Sequence, residues 1–480
     1  MACETTDVII CGCGPTGALL SAYLGKMNIS NIVLEKGAEI TTDPRGIALD
    51  EDGIRLLQGA GLYSSVYTEI GTCMQKFKFI GGTDPVLDKR AFIEMDYGTT
   101  EGGTGHVGFI CHKQPALEKC LRDAMAASKY CDLRSGCEVT SLSEDDQGTL
   151  CQYRDATGEE HQIRSRFFIG ADGKTGFTRK QYLEPRGILM EQAHHLLQDV
   201  AFPEDFGGQG IASGFRDAVS LAWRLALLCR TQSKDSSFHK QVLKAWYEER
   251  KQQLEKSLAS TIENGKFVTE GNPLKILIRN VYLWFVQLVP SWRHELSLGR
   301  RKEGLVRYEH SKGMPFIPEH NGGLCLPQVY CRSLNGFGTD VRFTDDVIFE
   351  PGKNGLFQLL VYVKAVEEIS SAREVVSDID DMSHGEILAN EVTFLVEDMA
   401  DAPCKIGHDV FRLASGDEFA QSRLCANRPR PEFFDPLYLA KALKGKRFTI
   451  VRPDRFIFAS CDSREDLRKI AGAVAVHLQG

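Results

Sequence analysis

"DVIICGCGPTGALLSAYLGKMNISNIVLE", residues 7–35, is the stretch that decides the fold. Asp7-Val8-Ile9-Ile10-Cys11 is a short, β-rich apolar run of the kind a fully buried parallel strand requires. It leads into Gly12-Cys13-Gly14-Pro15-Thr16-Gly17, a G-x-G-x-x-G, and Ala18–Leu24 then reads as a helix that stops near Asn28. A second apolar run, Ile32-Val33-Leu34, ends in Glu35, 18 residues after Gly17.

Each part has a mechanical role. Gly12 allows the tight turn, Gly14 lets backbone approach a pyrophosphate, and Gly17 lets helix and strand pack closely. The helix start, at Pro15 and Thr16, supplies unpaired N–H groups and the positive end of a dipole for phosphates. Glu35, followed by Lys36 at the tip of the second strand, can accept hydrogen bonds from ribose hydroxyls. An acid there fits an unphosphorylated ribose, so the expected dinucleotide is FAD or NAD rather than NADP.

Around this anchor the chain has the composition of a soluble globular protein. It has 480 residues, 42% hydrophobic and 25% charged, enough for two or three domains with a large core. A net charge of −8 gives a nucleic-acid partner no electrostatic support. Fifteen scattered cysteines form no C-x-x-C pair, which argues for reduced thiols and against a zinc ribbon or dithiol redox centre. No cluster has metal-ligand spacing, so no metal site is expected; His194 and His195 read as helix or loop residues. The N-terminus lacks a basic, apolar leader, and Leu274–Pro290 is interrupted by Lys275, Arg279 and Asn280. That segment is expected to be a buried or interfacial helix rather than a span, in a cytosolic protein.

Further motifs follow in order. Gln114-Pro115-Ala116-Leu117 starts a helix; Glu138–Leu142 and Thr149–Arg154 are strands of a meander that leads into the turn Asp172-Gly173. Gly207-Gly208-Gln209-Gly210 precedes apolar residues at helical spacing, Ala218, Leu221, Ala222, Leu225 and Leu228. "GCGPTG" with Glu35, "DPRG" around Arg45, "QPALEKCLR", "FFIGADGKTGFTRK" and "FGGQGIASGFRDAVSLAWRLALL" together resemble the single-component FAD-dependent aromatic hydroxylases of the phenol hydroxylase and hydroxyphenylpropionate hydroxylase type.

That resemblance implies roles. Arg45 and Gln114 would touch the FAD diphosphate and ribityl region, and Asp172 would serve both FAD and NADPH. Gly207–Gly210 would lie beside the isoalloxazine, where a helix N-terminus favours the anionic reduced ring. The activity implied is hydroxylation of a small phenolic or polyketide-like aromatic by NADPH and O2, with a homodimer as the family's assembly. No catalytic base is identifiable. The expected fold is α/β: a Rossmann-like FAD-binding domain over residues 1–312 and a thioredoxin-like domain over 313–480. "VRPDRFIFA", within a hairpin at Phe448–Ala459, carries the second resemblance; a strand at Leu356–Val363 and a helix at Ser463–Leu478 complete that part.

The departure from the family lies between Asp172 and Gly207, only 35 positions apart. A five-stranded sheet needs about 30 residues in strands alone, and Gly176–Leu197 reads as helix or loop. The substrate sheet is therefore expected to be truncated over about 176–206, with "FPED" at 202–205 abutting the glycine loop. The family's Gly-Asp run is missing, and Asp199 is the nearest substitute carboxylate. Two alternatives to a hydroxylase stay open: a catalytically impaired FAD-binding remnant, and a flavin oxidoreductase that inserts no oxygen.

Overall fold

The computed structural model describes residues 3–42, 47–81, 91–188, 209–231, 236–334, 340–400 and 407–479. Strand β1 (Glu4–Cys11) sits between two parallel neighbours, which is why Val8, Ile9 and Ile10 are fully buried. Helix α1 (Pro15–Lys26) starts on Pro15, whose fixed φ suits a first helical turn, and buries Gly17–Gly25. It stops where Asn28 takes a left-handed φ of 61°, and β2 (Asn31–Glu35) follows. The strand–helix–strand unit is the one expected from the sequence.

Helix α2 (Glu51–Gly59) is capped by Asp50, whose carboxylate accepts from the Gly53 N–H at 2.8 Å. Helix α3 (Gln114–Ala126) leads into β3 (Cys131–Ser135), and β4 (Glu138–Asp145), β5 (Gly148–Arg154) and β6 (Glu160–Gly170) complete the first sheet. Its order is β3-β2-β1-β6-β5-β4. β3, β2, β1 and β6 run parallel, while β4, β5 and β6 form the expected antiparallel meander. The C-terminal ends of β1, β2 and β6 thus open on one edge, where such sheets bind their ligands.

Helix α4 (Gln209–Arg230) buries its apolar stripe at Ala218, Leu221, Ala222, Leu225 and Leu228, and α5 (Ser236–Val268) packs on it. Helices α6 (Pro273–Leu288) and α7 (Pro290–Leu298) follow. Of the two expectations for the apolar run near 274–290, burial fails: α6 buries Leu283 and exposes most of its other large apolar side chains.

The C-terminal part contains β7 (Tyr330–Ser333), β8 (Val341–Phe343), β9 (Gln358–Val363), helix α8 (Glu368–Val376), β10 (Thr393–Val396) and β11 (Val410–Leu413). It closes with β12 (Phe448–Val451), β13 (Ile457–Cys461) and helix α9 (Arg464–Gln479). The sheet order is β8-β7-β11-β10-β9-β12-β13, with β9, β10 and β11 parallel. Every residue of β9 is buried, as a central strand covered on both faces requires.

Outside the two large sheets, the described residues hold a small three-stranded sheet (Ala48–Asp50, Gly71–Cys73, Phe109–His112) and one pair, Lys76–Phe79 with Ile93–Asp96. One apolar core runs from Val8 through Trp223 on α4 to Phe357 and to Leu478 on α9. Buried ion pairs cross the same boundary. Arg55 meets Asp345 at 2.7 Å, and the Arg452 guanidinium donates to both oxygens of Glu249 at 2.7 Å.

Candidate cofactor-binding site

The site is built where β1 ends. Gly12 has a φ of 100°, and a Cβ on it would lie 2.6 Å from the Ala171 carbonyl oxygen, so the Gly12 turn and the Asp172-Gly173 turn abut. A Cβ on Gly17 would run into the Gly12 carbonyl, so this glycine permits the close approach of α1 to the loop. Gly14 differs from both. Its backbone is extended (φ −66°, ψ 177°), and a Cβ on it would meet nothing within 4 Å. The protein leaves that side of the loop open.

Glu35 is held in place by the loop itself. One carboxylate oxygen accepts from the Cys13 N–H at 2.7 Å and the other from the Gly37 N–H at 2.8 Å. Each oxygen keeps a second lone pair, enough for two ribose hydroxyls. Lys36 beside it is exposed.

Thr16 at the start of α1 lies against Gly214 near the start of α4, where a Cβ would strike the threonine hydroxyl. The first turns of both helices contain no acidic residue. Their unpaired N–H groups and dipole ends therefore face one region without local opposition.

Asp172, at the end of β6, accepts from the Thr178 N–H at 2.8 Å and from the Cys11 thiol at 3.6 Å. Burial and that carboxylate push the Cys11 thiol pKa well up, and burial pushes the Cys13 thiol up to about 12. Both thiols are neutral and inert at ordinary pH. Gly173 has a φ of 78°, as the Asp-Gly turn requires.

Buried Gln114 starts α3, and its Nε2 donates to Glu118 at 2.7 Å. Two turns on, Arg122 brings its positive charge against the Cys13 thiol in the loop, and its Nε is buried with no hydrogen-bond partner. This cation was not singled out from sequence, although it ends "QPALEKCLR"; its spacing on the face of Gln114 was the available signal. Also missed was the clamp on α4. Arg216 Nε donates to Asp52 at 2.6 Å and its Nη2 to Asp50, joining the flavin-side helix to the cap of α2.

The structure thus brings together Gly12, Gly14, Pro15, Thr16, Gly17, Glu35, Asp172 and Gly173, with Gln209 and Gly210 opening α4. Arg45, Asp199, Gly207 and Gly208, like "FPED", His194 and His195, lie outside the described residues. One group with metal-ligand proximity, Asp155, Glu159 and His161, sits in the β5–β6 turn. Its hydrogen bonds explain it without an ion: Asp155 accepts from the Thr157 N–H at 2.8 Å and pairs with His161 at 2.7 Å. The open side of Gly14, the two acid-free helix starts, the fixed acid and the Arg122 charge form a donor set that fits the diphosphate and ribose of FAD.

Comparison with known proteins agrees. The profile of the FAD binding domain family matches residues 5–187. A 3-(3-hydroxy-phenyl)propionate/3-hydroxycinnamic acid hydroxylase of Burkholderia cenocepacia (strain HI2424) is 31% identical over 170 residues, 35% of this chain and 30% of that protein. A probable NADH-specific resorcinol 4-hydroxylase of Rhodococcus jostii (strain RHA1) is 31% identical over 179 residues, 37% of this chain and 32% of that protein. The matched part thus spans about a third or less of either relative's length.

Among solved structures, the flavin-dependent monooxygenase PieE in complex with FAD and substrate superposes with a TM-score of 0.64 at 15% identity, over 100% of both chains. The OxyS anhydrotetracycline hydroxylase from Streptomyces rimosus gives 0.58 at 16%, over 95% of this chain and 96% of its own. With the FAD binding domain matched in sequence and the fold matched over its whole length, the chain belongs to the family of FAD-dependent aromatic hydroxylases.

Proposed function

We propose that this protein is an FAD-dependent monooxygenase that hydroxylates a small phenolic or polyketide-like aromatic ring with NADPH and O2. The observation that carries the proposal is the convergence of the β1–α1 glycine loop, Glu35, the Asp172 turn and the start of α4 on one sheet edge. Bound FAD supplies the redox chemistry between the reduced nicotinamide, oxygen and the ring. Two electrons come from NADPH; one oxygen atom enters the ring in place of hydrogen, and the other leaves as water.

The chain's own residues bind and orient. The first turn of α1 and Arg122 hold the diphosphate, Glu35 the ribose, and Gln114 and Arg45 the region towards the ribityl chain. The segment Gly207–Gly210 and the start of α4 present N–H groups to the pyrimidine edge of the ring. Asp172 orients the Asp-Gly turn that both FAD and the nicotinamide approach. In this reading residues 313–480 form a thioredoxin-like domain with a structural role, and residues 1–312 carry the cofactor.

The substrate region is proposed to be abbreviated over about 176–206. The short pair Lys76–Phe79 and Ile93–Asp96 supports that reading, because it is the smallest sheet among the described residues and has two open edges. This observation favours one alternative, a flavin-loaded protein whose oxygen chemistry is uncoupled.

The test uses the purified yellow protein with NADPH or NADH, a panel of phenols and labelled O2. Phenol-dependent NADPH oxidation with one labelled oxygen in the product is expected. Phenol-independent oxidation that yields hydrogen peroxide alone would assign the uncoupled form, and colourless protein that takes up no FAD would remove both readings.

A further inference from the structure

Helix α6 is turned inside out. From Leu274 to Leu288, eight apolar side chains are 46–65% exposed, among them Leu277, Ile278, Tyr282, Trp284 and Phe285. At 100° per residue these eight fall within an arc of roughly 160°. The inward side is the polar one. Arg279 stacks 4.1 Å from the Phe92 ring and donates to the Phe267 carbonyl at 2.9 Å, and Gln287 donates to the Phe92 carbonyl at 3.1 Å. Polar anchors therefore fix the orientation that leaves the apolar face outside. Together with Trp292, 55% exposed on α7, the face offers roughly 700–900 Å² of apolar surface. The largest patch on an ordinary monomer is about 300–600 Å².

Charge and residue type identify what covers this face. In a chain of net charge −8, no acidic residue lies between Glu270 and Glu295, while Lys275, Arg279 and Arg293 do. Two of the four tryptophans, Trp284 and Trp292, stand on the patch with Tyr282. Aromatic side chains of this type collect at the boundary between acyl chains and headgroups, and basic residues beside them meet lipid phosphates. A second copy of the chain fits less well, because self-pairing across the patch would bring Lys275 and Arg293 together with no acid inside the interface to answer them. At 16 residues α6 is about 24 Å long, short of a bilayer core, and none of the described helices is long and apolar enough to cross a membrane. The helix must lie in the surface plane.

We propose that α6 and α7 form a docking surface for an anionic lipid bilayer, with the exposed face of α6 inserted among the headgroups and upper acyl chains. The proposal is independent of the catalytic reading.

The test is flotation of the FAD-loaded protein with vesicles of phosphatidylcholine alone and of phosphatidylcholine with 30% phosphatidylserine, with tryptophan emission recorded alongside. Binding to the anionic vesicles with a blue shift is expected. It should weaken severalfold in 0.5 M salt, and at least tenfold in Leu277→Gln/Ile278→Gln/Phe285→Gln protein with unchanged FAD content. Protein that stays with the unbound fraction overturns the proposal. So does binding that the triple variant retains, or a dimer by light scattering that the triple variant converts to monomer. If the triple variant does not fold, wild-type protein decides: quenching of tryptophan emission by brominated-lipid vesicles supports docking, and its absence overturns it.

Discussion

Replacing Gly14 by alanine separates a glycine kept for the ligand from one kept for the fold. Gly14 already has dihedral angles that alanine accepts, and the added methyl would meet no protein atom within 4 Å. Two small terms act on the protein alone. Alanine is a poorer N-cap by about 1 kcal/mol, and it restricts the unfolded chain, worth about 0.4–1 kcal/mol in the other direction. The apo stability is therefore expected to change by less than about 1 kcal/mol. The methyl instead fills the open side of the loop, where the diphosphate would approach. Loss of one charge-assisted hydrogen bond costs about 1.5–3 kcal/mol, which is roughly ten- to 150-fold in FAD affinity. Gly12→Ala is the contrast, since a φ of 100° and a contact of 2.6 Å to Ala171 strain the fold itself by about 2 kcal/mol or more. The assays are urea unfolding of apoprotein and FAD titration by flavin fluorescence. Gly14→Ala protein that binds FAD as tightly as wild type, or that loses as much apo stability as Gly12→Ala, would refute the cradle.

Three other outcomes follow from the geometry. Glu249→Ala leaves the fully buried Arg224 and Arg452 short of their shared partner, and urea unfolding should show a loss of about 3–5 kcal/mol; a loss under 1 kcal/mol would mean that the network relaxes. Buried His112, whose ring nitrogens lack partners, has its pKa lowered to about 4 by burial. The unfolded chain then takes up a proton below about pH 6.5 that the folded chain refuses until about pH 4, so stability is full above pH 6.5 and falls on acidification by up to about 3 kcal/mol. Denaturation midpoints from pH 7 to 4 check this, and His112→Phe should flatten that part of the slope. Arg216→Ala frees the Asp50 and Asp52 carboxylates from their cation and should cost about 1–3 kcal/mol with faster FAD loss on dilution; unchanged FAD retention would detach this clamp from the cofactor.

What the sequence discloses tracks how local the physics is. The β1–α1–β2 unit is legible because its signals lie within 29 residues and each acts on its neighbours: an apolar run, glycines at a turn, a proline at a helix start, an acid at a strand tip. The stripe of α4 is legible for the same reason. Strands of three or four residues, such as Ala48–Asp50 and Gly71–Cys73, are too short to show alternation, and their pairing with Phe109–His112 is a tertiary fact. Helix α6 marks another limit. Its apolar run is plain, but the side that faces inward is chosen by Phe92 and Phe267, and nothing in the run itself names them.

"VRPDRFIFA" shows what a recognisable motif leaves unsaid. A charged hairpin turn at Arg452–Arg455 reads by residue type as surface, yet Arg452, Asp454 and Arg455 are 0, 7 and 4% exposed. Buried charges persist only where partners meet them, and here each partner comes from the cofactor half of the chain. Arg452 takes Glu249 on α5, 203 positions away, and Asp454 accepts from the Trp223 indole on α4, 231 positions away at 2.9 Å. Arg455 meets Asp345 at 2.6 Å and the Tyr23 hydroxyl on α1 at 3.1 Å. The hairpin is therefore a plug seated against α1, α4 and α5. Because α4 is one continuous helix from Gln209 to Arg230, fixing it at Trp223 also fixes the direction of its first turn, which lies against Thr16. The C-terminal sheet, which contributes no residue to the glycine loop, thereby sets where the dipole of α4 points. A change in the hairpin turn reaches the cofactor through the aim of that helix rather than through any contact with the loop.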